Sequence, residues 1–315
     1  MVNVEVIRTQ LTNTVNETDF PELGKKYEGK VRDNYITEDG SRYIISTDRL
    51  SAFDRVLATI PFKGQLLNQM STFWFEKTKN ICDNHIIDVP DPNVVKVKEC
   101  KTFPIEMILR NYLTGSAWRD YQKGKPISGI KLPEGLKKHE KIDLIITPST
   151  KAPKGEHDLP ISREEILAQG LVPEDQYKKL EEITLNLFKF GRDYCAKNNL
   201  ILVDCKFEFG YIEEGDIILI DEIFTPDASR FWIKDTYQAR FDAGEEPKIL
   251  DKEFFRQWLI GQGYMGDGDP PKITEDVKVE LCQRYIESFE MITGEEFKPD
   301  TSEDANARIK KNLGL

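Results

Sequence analysis

Histidine and cysteine are scarce in this 315-residue chain, with three of the first and five of the second. The cysteines, Cys82, Cys100, Cys195, Cys205 and Cys282, are scattered and show neither a C-x-x-C spacing nor a histidine partner, so no zinc site is legible. They read as free buried thiols of a reducing compartment, which makes the cytoplasm the expected location. No apolar run approaches the ~20 residues that a membrane-spanning helix needs. The opening MVNVEVIRTQ lacks a signal-peptide pattern, and no membrane partner is expected. Positive charge is also short: 44 Lys and Arg face 55 Asp and Glu, a net charge of −11. That balance argues against nucleic acid as a partner and confines any anionic ligand to a locally basic pocket. There is no internal repeat and no low-complexity segment.

What is present suits a packed globule: 39% hydrophobic and 10% aromatic residues, in a length that fits one large domain or two smaller ones. YEGKVRDNYIT (27–37) and SRYIISTDR (41–49) read as a β-hairpin around Glu38-Asp39-Gly40. Helical periodicity marks 65–79, 175–198, 251–260 and 274–292. FPIEMILRNYLTGSAW (103–118) reads as a strand running into a Gly-Ser turn, followed by a long irregular stretch over 121–160. The expected class is α+β, with a β-rich lobe over 1–108 and a larger α/β domain over 109–315 that ends in helices.

The most unusual stretch is VDCKFEFG (203–210), where Asp204, Lys206 and Glu208 alternate with Val203, Cys205, Phe207 and Phe209. Period-2 alternation is that of a strand with one apolar and one polar face, and this polar face reads acid, base, acid. IILIDE (217–222) follows. A two-residue turn at Glu214-Gly215 sets Glu208 opposite Asp221. Two facing carboxylates repel unless a cation relieves them, and Mg²⁺ suits that role because it leaves coordination positions for phosphate oxygens and water. A slip of one residue would move Asp221 to the other face. A solvated edge strand with neutralising salt bridges fits the spacing equally well.

Other stretches carry weaker chemistry. EGKVRDNY (28–35) offers Gly29 for close backbone approach to a phosphate, with Lys30 and Arg32 as cations, and a charged hairpin edge would look the same. STDRLSAFD (46–54) groups Asp48, Ser51 and Asp54, which suits a small zwitterion or an ordinary helix cap. LRNYLTGSAW (109–118) places Arg110 and Ser116 as phosphate or carboxylate donors, or as a structural turn. FTPDASRFW (224–232) puts Arg230 just past a strand end, as a phosphate fork or a surface ion pair. TPSTKAPKGEHD (147–158) carries Lys151, Lys154 and His157 on what reads as a mobile lid.

Together and in this order, VDCKFEFG, IDEIFTPDASRFW, LRNYLTGSAW, EGKVRDNY, STDRLSAFD and TPSTKAPKGEHD resemble the phosphoribosylaminoimidazole-succinocarboxamide synthases, the SAICAR synthetase family in its longer form. The likeness covers about residues 24–290, and its most specific parts are VDCKFEFG and DEIFTPDASRFW. It implies a family fold whose front lobe resembles kinase-type nucleotide lobes. It also implies an ATP-dependent ligase joining L-aspartate to carboxyaminoimidazole ribotide (CAIR) through an acyl phosphate. By the same resemblance, Gly29, Lys30, Arg32 and Lys151 would meet the ATP phosphates and Glu106 the adenine end. Glu208 and Asp221 would hold Mg²⁺, and Lys206 with Asp204 would serve the chemistry. Arg110, Ser116 and Arg230 would take the ribose phosphate of CAIR, with Asp48, Ser51 and Asp54 near aspartate or imidazole. A small-molecule kinase and a non-enzymatic nucleotide-binding protein are the rival readings. The oligomeric state is left open.

Overall fold

The computed structural model describes residues 2–53, 55–151, 158–213, 215–250 and 253–315. The chain opens with α1 (Val4–Thr9), β1 (Lys25–Glu28), β2 (Arg32–Ile36), β3 (Ser41–Ser46), β4 (Arg49–Ala52), β5 (Arg55–Thr59) and α2 (Lys63–Thr78). It continues through β6 (Ile86–Asp91), β7 (Val94–Lys98), β8 (Lys101–Tyr112), α3 (Gly115–Gln122), β9 (Lys141–Ile146) and β10 (Ser149–Thr150). Then come α4 (Arg163–Ala168), α5 (Glu174–Lys197), β11 (Leu200–Tyr211), β12 (Ile218–Ile220), β13 (Ser229–Ile233) and α6 (Lys234–Asp242). It closes with α7 (Glu253–Gly261), α8 (Glu275–Thr293) and α9 (Ala305–Asn312). The mixture is α+β. Among the described residues no helix is long and apolar enough to cross a membrane.

Two compact units divide the chain, and neither follows the expected cut at 108/109. The first comprises residues 1–73, 85–99 and 250–315, and the second 74–84 and 100–249. A single cut misses this because both units are assembled from separated stretches. The C-terminal helices belong to the first unit, not to the larger α/β part.

The first unit is built on an antiparallel sheet ordered β1-β2-β3-β7-β6. Its core joins Val15, Phe20, Leu23, Tyr35, Ile45 and Val94 to Ala305 and Ile309 of α9. The fastening of α9 is polar as well as apolar: Arg308 donates from Nε and Nη2 to the two oxygens of Asp91, at 3.0 and 3.1 Å. The expected 27–37 strand is in fact broken: Gly29, Lys30 and Val31 form the turn between β1 and β2, closed by Gly29 N–H donating to the Arg32 carbonyl at 2.8 Å.

The second unit holds a sheet ordered β10-β8-β11-β12, with β9 also on β8 and β13 also on β11. Strand β11 is therefore central and is buried on both faces, with Asp204 and Glu208 only 4% and 6% exposed. The half-exposed strand expected from the alternation is really an internal strand with an internal polar face. Two pieces of regular structure, β9 and β10, lie inside the stretch expected to be irregular. The helical expectations hold to within a few residues as α2, α5, α7 and α8. Helix α8 is capped by the Thr274 hydroxyl, which accepts from Val277 N–H, and ends at left-handed Gly294.

Candidate active site

The charged face of β11 is assembled across three neighbouring strands. Asp204 stands directly opposite Arg110 of β8 on one side and Arg230 of β13 on the other. Its Oδ2 accepts from Arg110 Nη1 at 3.1 Å and from Arg230 Nη1 at 2.5 Å. Arg110 is further fixed by donating from Nε to Thr147 Oγ1 at 2.9 Å and from Nη2 to Ser116 Oγ at 3.4 Å. Burial lowers the Arg110 pKa and Asp204 opposes the shift, so the guanidinium is held by its partner and not by water.

Ser116 comes from the first turn of α3, and the Gly-Ser pair expected as a turn is the start of that helix. Gly115 there has φ +58°, and a Cβ at this position would fall 2.8 Å from Arg230 Nη2. Only glycine lets the helix N-terminus and the guanidinium come together. Backbone N–H groups at a helix start beside an arginine favour an anion.

Two residues along β11, Lys206 points into a group of carboxylates. Its Nζ donates to Asp221 Oδ2 at 2.8 Å, contacts Glu208 more closely still, and lies 3.4 Å from Glu106 Oε1. Lys151 Nζ contacts the other oxygen of Glu208. Burial works against the charged form of Lys206, but Asp221, Glu208 and Glu106 outweigh it and hold the pKa well above the ordinary lysine value. Burial pushes Glu106 up to about 7, and neighbouring Glu208 adds to the shift.

The expected hairpin changes here. In the ladder Glu208 faces Ile220, not Asp221, and the six-residue connection 212–217 replaces the two-residue turn; Glu214 lies outside the described residues. Asp221 still reaches Lys206 because it sits just past β12 in the left-handed region, φ +66°, which turns its side chain back toward the charged face. The carboxylate directly opposite Glu208 is Glu106 of β8. Glu106, for which the resemblance implies the adenine end, also belongs to this carboxylate group, and its Oε2 accepts from Ser149 Oγ at 3.1 Å.

The remaining candidates lie in the first unit. Gly29, Lys30 and Arg32 surround the β1–β2 turn, with Lys30 exposed. Asp48 is buried and committed to the backbone: Gly64 N–H donates to Oδ1 at 2.8 Å and Val15 N–H to Oδ2 at 2.7 Å. Burial nevertheless raises its pKa to about 6. Ser51 is half-buried on β4 opposite Val56. Asp54, Lys154 and His157 lie outside the described residues. Thr147, Ser149 and Arg49 lie inside stretches singled out in the sequence but had no partner assigned there; each is a hydrogen-bond partner of another singled-out segment.

Among the described residues no three His, Cys, Asp or Glu side chains form a ready-made metal cluster. The carboxylates instead gather round a lysine ammonium. Fold and site thus define a class: an α+β protein with an arginine-lined anion cradle next to a cation-centred carboxylate group.

Comparison with known proteins makes the class specific. The family model for SAICAR synthetase matches residues 25–271. The phosphoribosylaminoimidazole-succinocarboxamide synthases of Bacteroides thetaiotaomicron and Legionella pneumophila (strain Paris) are 49% and 46% identical over 95% of this chain and 97% of theirs. A Saccharomyces cerevisiae SAICAR synthase structure, complexed with SAICAR, superposes with a TM-score of 0.80 at 34% identity, covering 90% of this chain and all of that one. A type-2 SAICAR synthetase in complex with ADP gives 0.67 at 29% identity over 87% of this chain and all of that one. The chain belongs to the SAICAR synthetase family, ligases of purine biosynthesis.

Proposed function

We propose that this chain is an ATP-dependent ligase that joins L-aspartate to the carboxylate of CAIR, giving SAICAR, ADP and phosphate in the cytoplasm. The observation that carries the reading is the single charged face of β11. It sets the Arg110–Asp204–Arg230 row beside Lys206 and its carboxylates, an anion holder next to a charge-neutralising group. The SAICAR and ADP held by two related structures support the same reading.

Arg110, Ser116 and Arg230 hold the ribose phosphate of CAIR against the α3 N-terminus. Asp204, expected among the catalytic residues, is a positioning residue: it fixes both guanidiniums and has its oxygen occupied by them. Lys206 remains protonated, so it serves as a cation for charge developing on the carboxylate and the transferred phosphoryl group, and not as a base. By the family resemblance Lys151 is assigned to the ATP phosphates; within the first unit, Gly29, Lys30 and Arg32 keep their ATP assignment and Ser51 its assignment to the aspartate or imidazole. Asp48 is assigned to the scaffold.

The donor set fits Mg²⁺. Hard carboxylate oxygens of Glu106, Glu208 and Asp221 converge on one ammonium cation. Glu208 and Asp221 would hold the ion, with phosphate oxygens and water completing its shell. When bound, Mg²⁺ supplies neutralisation of the phosphate charge.

The γ-phosphoryl group passes to a CAIR carboxylate oxygen, leaving ADP and an acyl phosphate. The aspartate amine then attacks the acyl carbon, the C–O bond breaks, and phosphate leaves with that oxygen while the nitrogen sheds a proton. CAIR labelled with oxygen-18 in the carboxylate tests the route. One label should appear in the released phosphate, and unlabelled phosphate would overturn the acyl phosphate.

A further inference from the structure

Arg49 was given no role of its own above, yet it makes four hydrogen bonds beside the β1–β2 turn. It is 5% exposed. Its Nε donates to the Lys30 carbonyl at 3.0 Å and its Nη2 to the Gly29 carbonyl at 3.1 Å. Nη2 also donates to Asp33 Oδ1 at 2.8 Å, and Nη1 to the Asn16 carbonyl at 2.6 Å. The next carbonyl of the turn, Val31, accepts from Thr47 N–H at 3.1 Å and from Thr47 Oγ1 at 2.8 Å. Three successive carbonyls are thus captured by Thr47 and Arg49, two neighbours of the same segment.

The other side of the clamp is equally fixed. Asp33 is fully buried, and its Oδ2 accepts from Thr18 N–H at 2.8 Å and Thr18 Oγ1 at 2.9 Å. Burial alone would raise the Asp33 pKa; hydrogen bonds from Arg49 and Thr18 outweigh it and keep the carboxylate charged. A charged aspartate at one end and Asn16 at the other leave the guanidinium plane one orientation. A planar fork of donors can meet two neighbouring carbonyls at once, which a lysine ammonium cannot reproduce.

In a trans peptide unit the carbonyl and the following N–H point in opposite directions. Holding the Gly29 and Lys30 carbonyls toward Arg49 therefore turns the N–H groups of Lys30 and Val31 away from it. Successive N–H groups presented this way make an anion-binding concavity.

We infer that Arg49 is a positioning residue of the reaction, setting the Gly29–Val31 turn so that its outward N–H groups and Lys30 meet the phosphates of ATP. The inference rests on the assignment of this turn to ATP made above. Arg49 itself touches no substrate; it acts through the backbone that it grips.

The test compares Arg49→Lys with Lys30→Ala, measuring KM for ATP, CAIR and L-aspartate, kcat and Tm for each. Arg49→Lys keeps the charge facing Asp33 but loses the fork. It should raise KM for ATP by roughly 10- to 100-fold, the effect of a small misplacement of a binding group, and leave KM for CAIR and aspartate within about two-fold of wild type. If Arg49→Lys does not fold, the paired variant Arg49→Gln/Asp33→Asn removes both buried charges together and should show the same ATP-selective rise. A folded variant with unchanged KM for ATP, or with all three KM values moved alike, overturns the role of Arg49. If Lys30→Ala also leaves KM for ATP unchanged, the assignment of the turn fails and the inference fails with it. If only Lys30→Ala raises it, the inference alone fails.

Discussion

Glu106 and Glu208 face each other directly across the β8–β11 ladder, and Lys206 lies between their carboxylates, 3.4 Å from Glu106 Oε1 and in contact with Glu208. Two buried acids at cross-strand distance repel; Lys206 and Lys151 offset that repulsion, while Asp221 adds a third carboxylate to the group. That excess of negative charge in an otherwise packed sheet is the feature from which the metal assignment grows.

Removing one member of the group should therefore affect activity more than folding. Glu208→Gln and Asp221→Asn are expected to keep Tm within a few degrees while kcat/KM drops by about 100-fold or more. Both should also need far more Mg²⁺ for half-maximal rate. Wild-type-like turnover in either variant, read in a Mg²⁺ titration, would sink the metal assignment.

Arg230→Ala should act on one substrate. Loss of a charge-assisted contact to phosphate corresponds to roughly 10- to 100-fold in affinity, so KM for CAIR should rise by that factor while KM for ATP stays put. Gly115→Ala should weaken CAIR in the same direction. Its Cβ would press on the Arg230 guanidinium, and the left-handed backbone adds about 1–2 kcal/mol of instability. An unchanged KM for CAIR in both variants would remove Arg230 from the phosphate site.

Asp48 gives a pH signature in stability. Its carboxyl titrates near 6 in the folded protein against an ordinary 3.8, because burial outweighs the two backbone N–H donors. A raised folded pKa means that the folded state binds the proton more tightly, so this stabilisation is complete below about pH 4 and is lost as pH rises through about 6. Asp48→Asn should flatten that part of the stability curve. Asp48→Ala leaves Val15 and Gly64 N–H groups unpaired and should cost about 1–3 kcal/mol for each. Denaturant midpoints measured from pH 4 to 8 decide both points, and a wild-type pH profile in Asp48→Asn would contradict them.

The C-terminal helix should prove integral to the first unit. Arg308 and Asp91 are 6% and 0% exposed, and Asn312 Nδ2 also donates to Asp91 at 2.7 Å. Arg308→Ala strands a buried carboxylate, for which the cost is about 3–5 kcal/mol. Thermal unfolding within a degree of wild type would show that α9 contributes little.

How far the sequence led depends on the range of each interaction. The 3.6-residue period found α2, α5, α7 and α8, and the period-2 alternation of 203–210 pointed to the strand that carries the site. Asp221 was set opposite Glu208 by a register that the ladder does not have; it reaches Lys206 because a left-handed residue after β12 redirects a side chain that the ladder alone would send elsewhere. Glu106 as the acid opposite Glu208 is a pairing between strands far apart in the chain, which no local pattern carries. Arg49 stood out only as a charge in STDRLSAFD, and its partners were not legible for another reason: three of its four acceptor groups are backbone carbonyls, whose placement leaves no mark in residue identity. The discontinuous units escaped for the same cause as Glu106, since packing of 250–315 with the N-terminal sheet is long-range.

The most direct measurement is ADP release by the purified protein with Mg²⁺ and ATP, adding CAIR and L-aspartate separately and together. The ligase account predicts rapid release only when both are present, matched mole for mole by SAICAR. Release that ignores aspartate, or that needs a hydroxyl acceptor in place of CAIR, would contradict it.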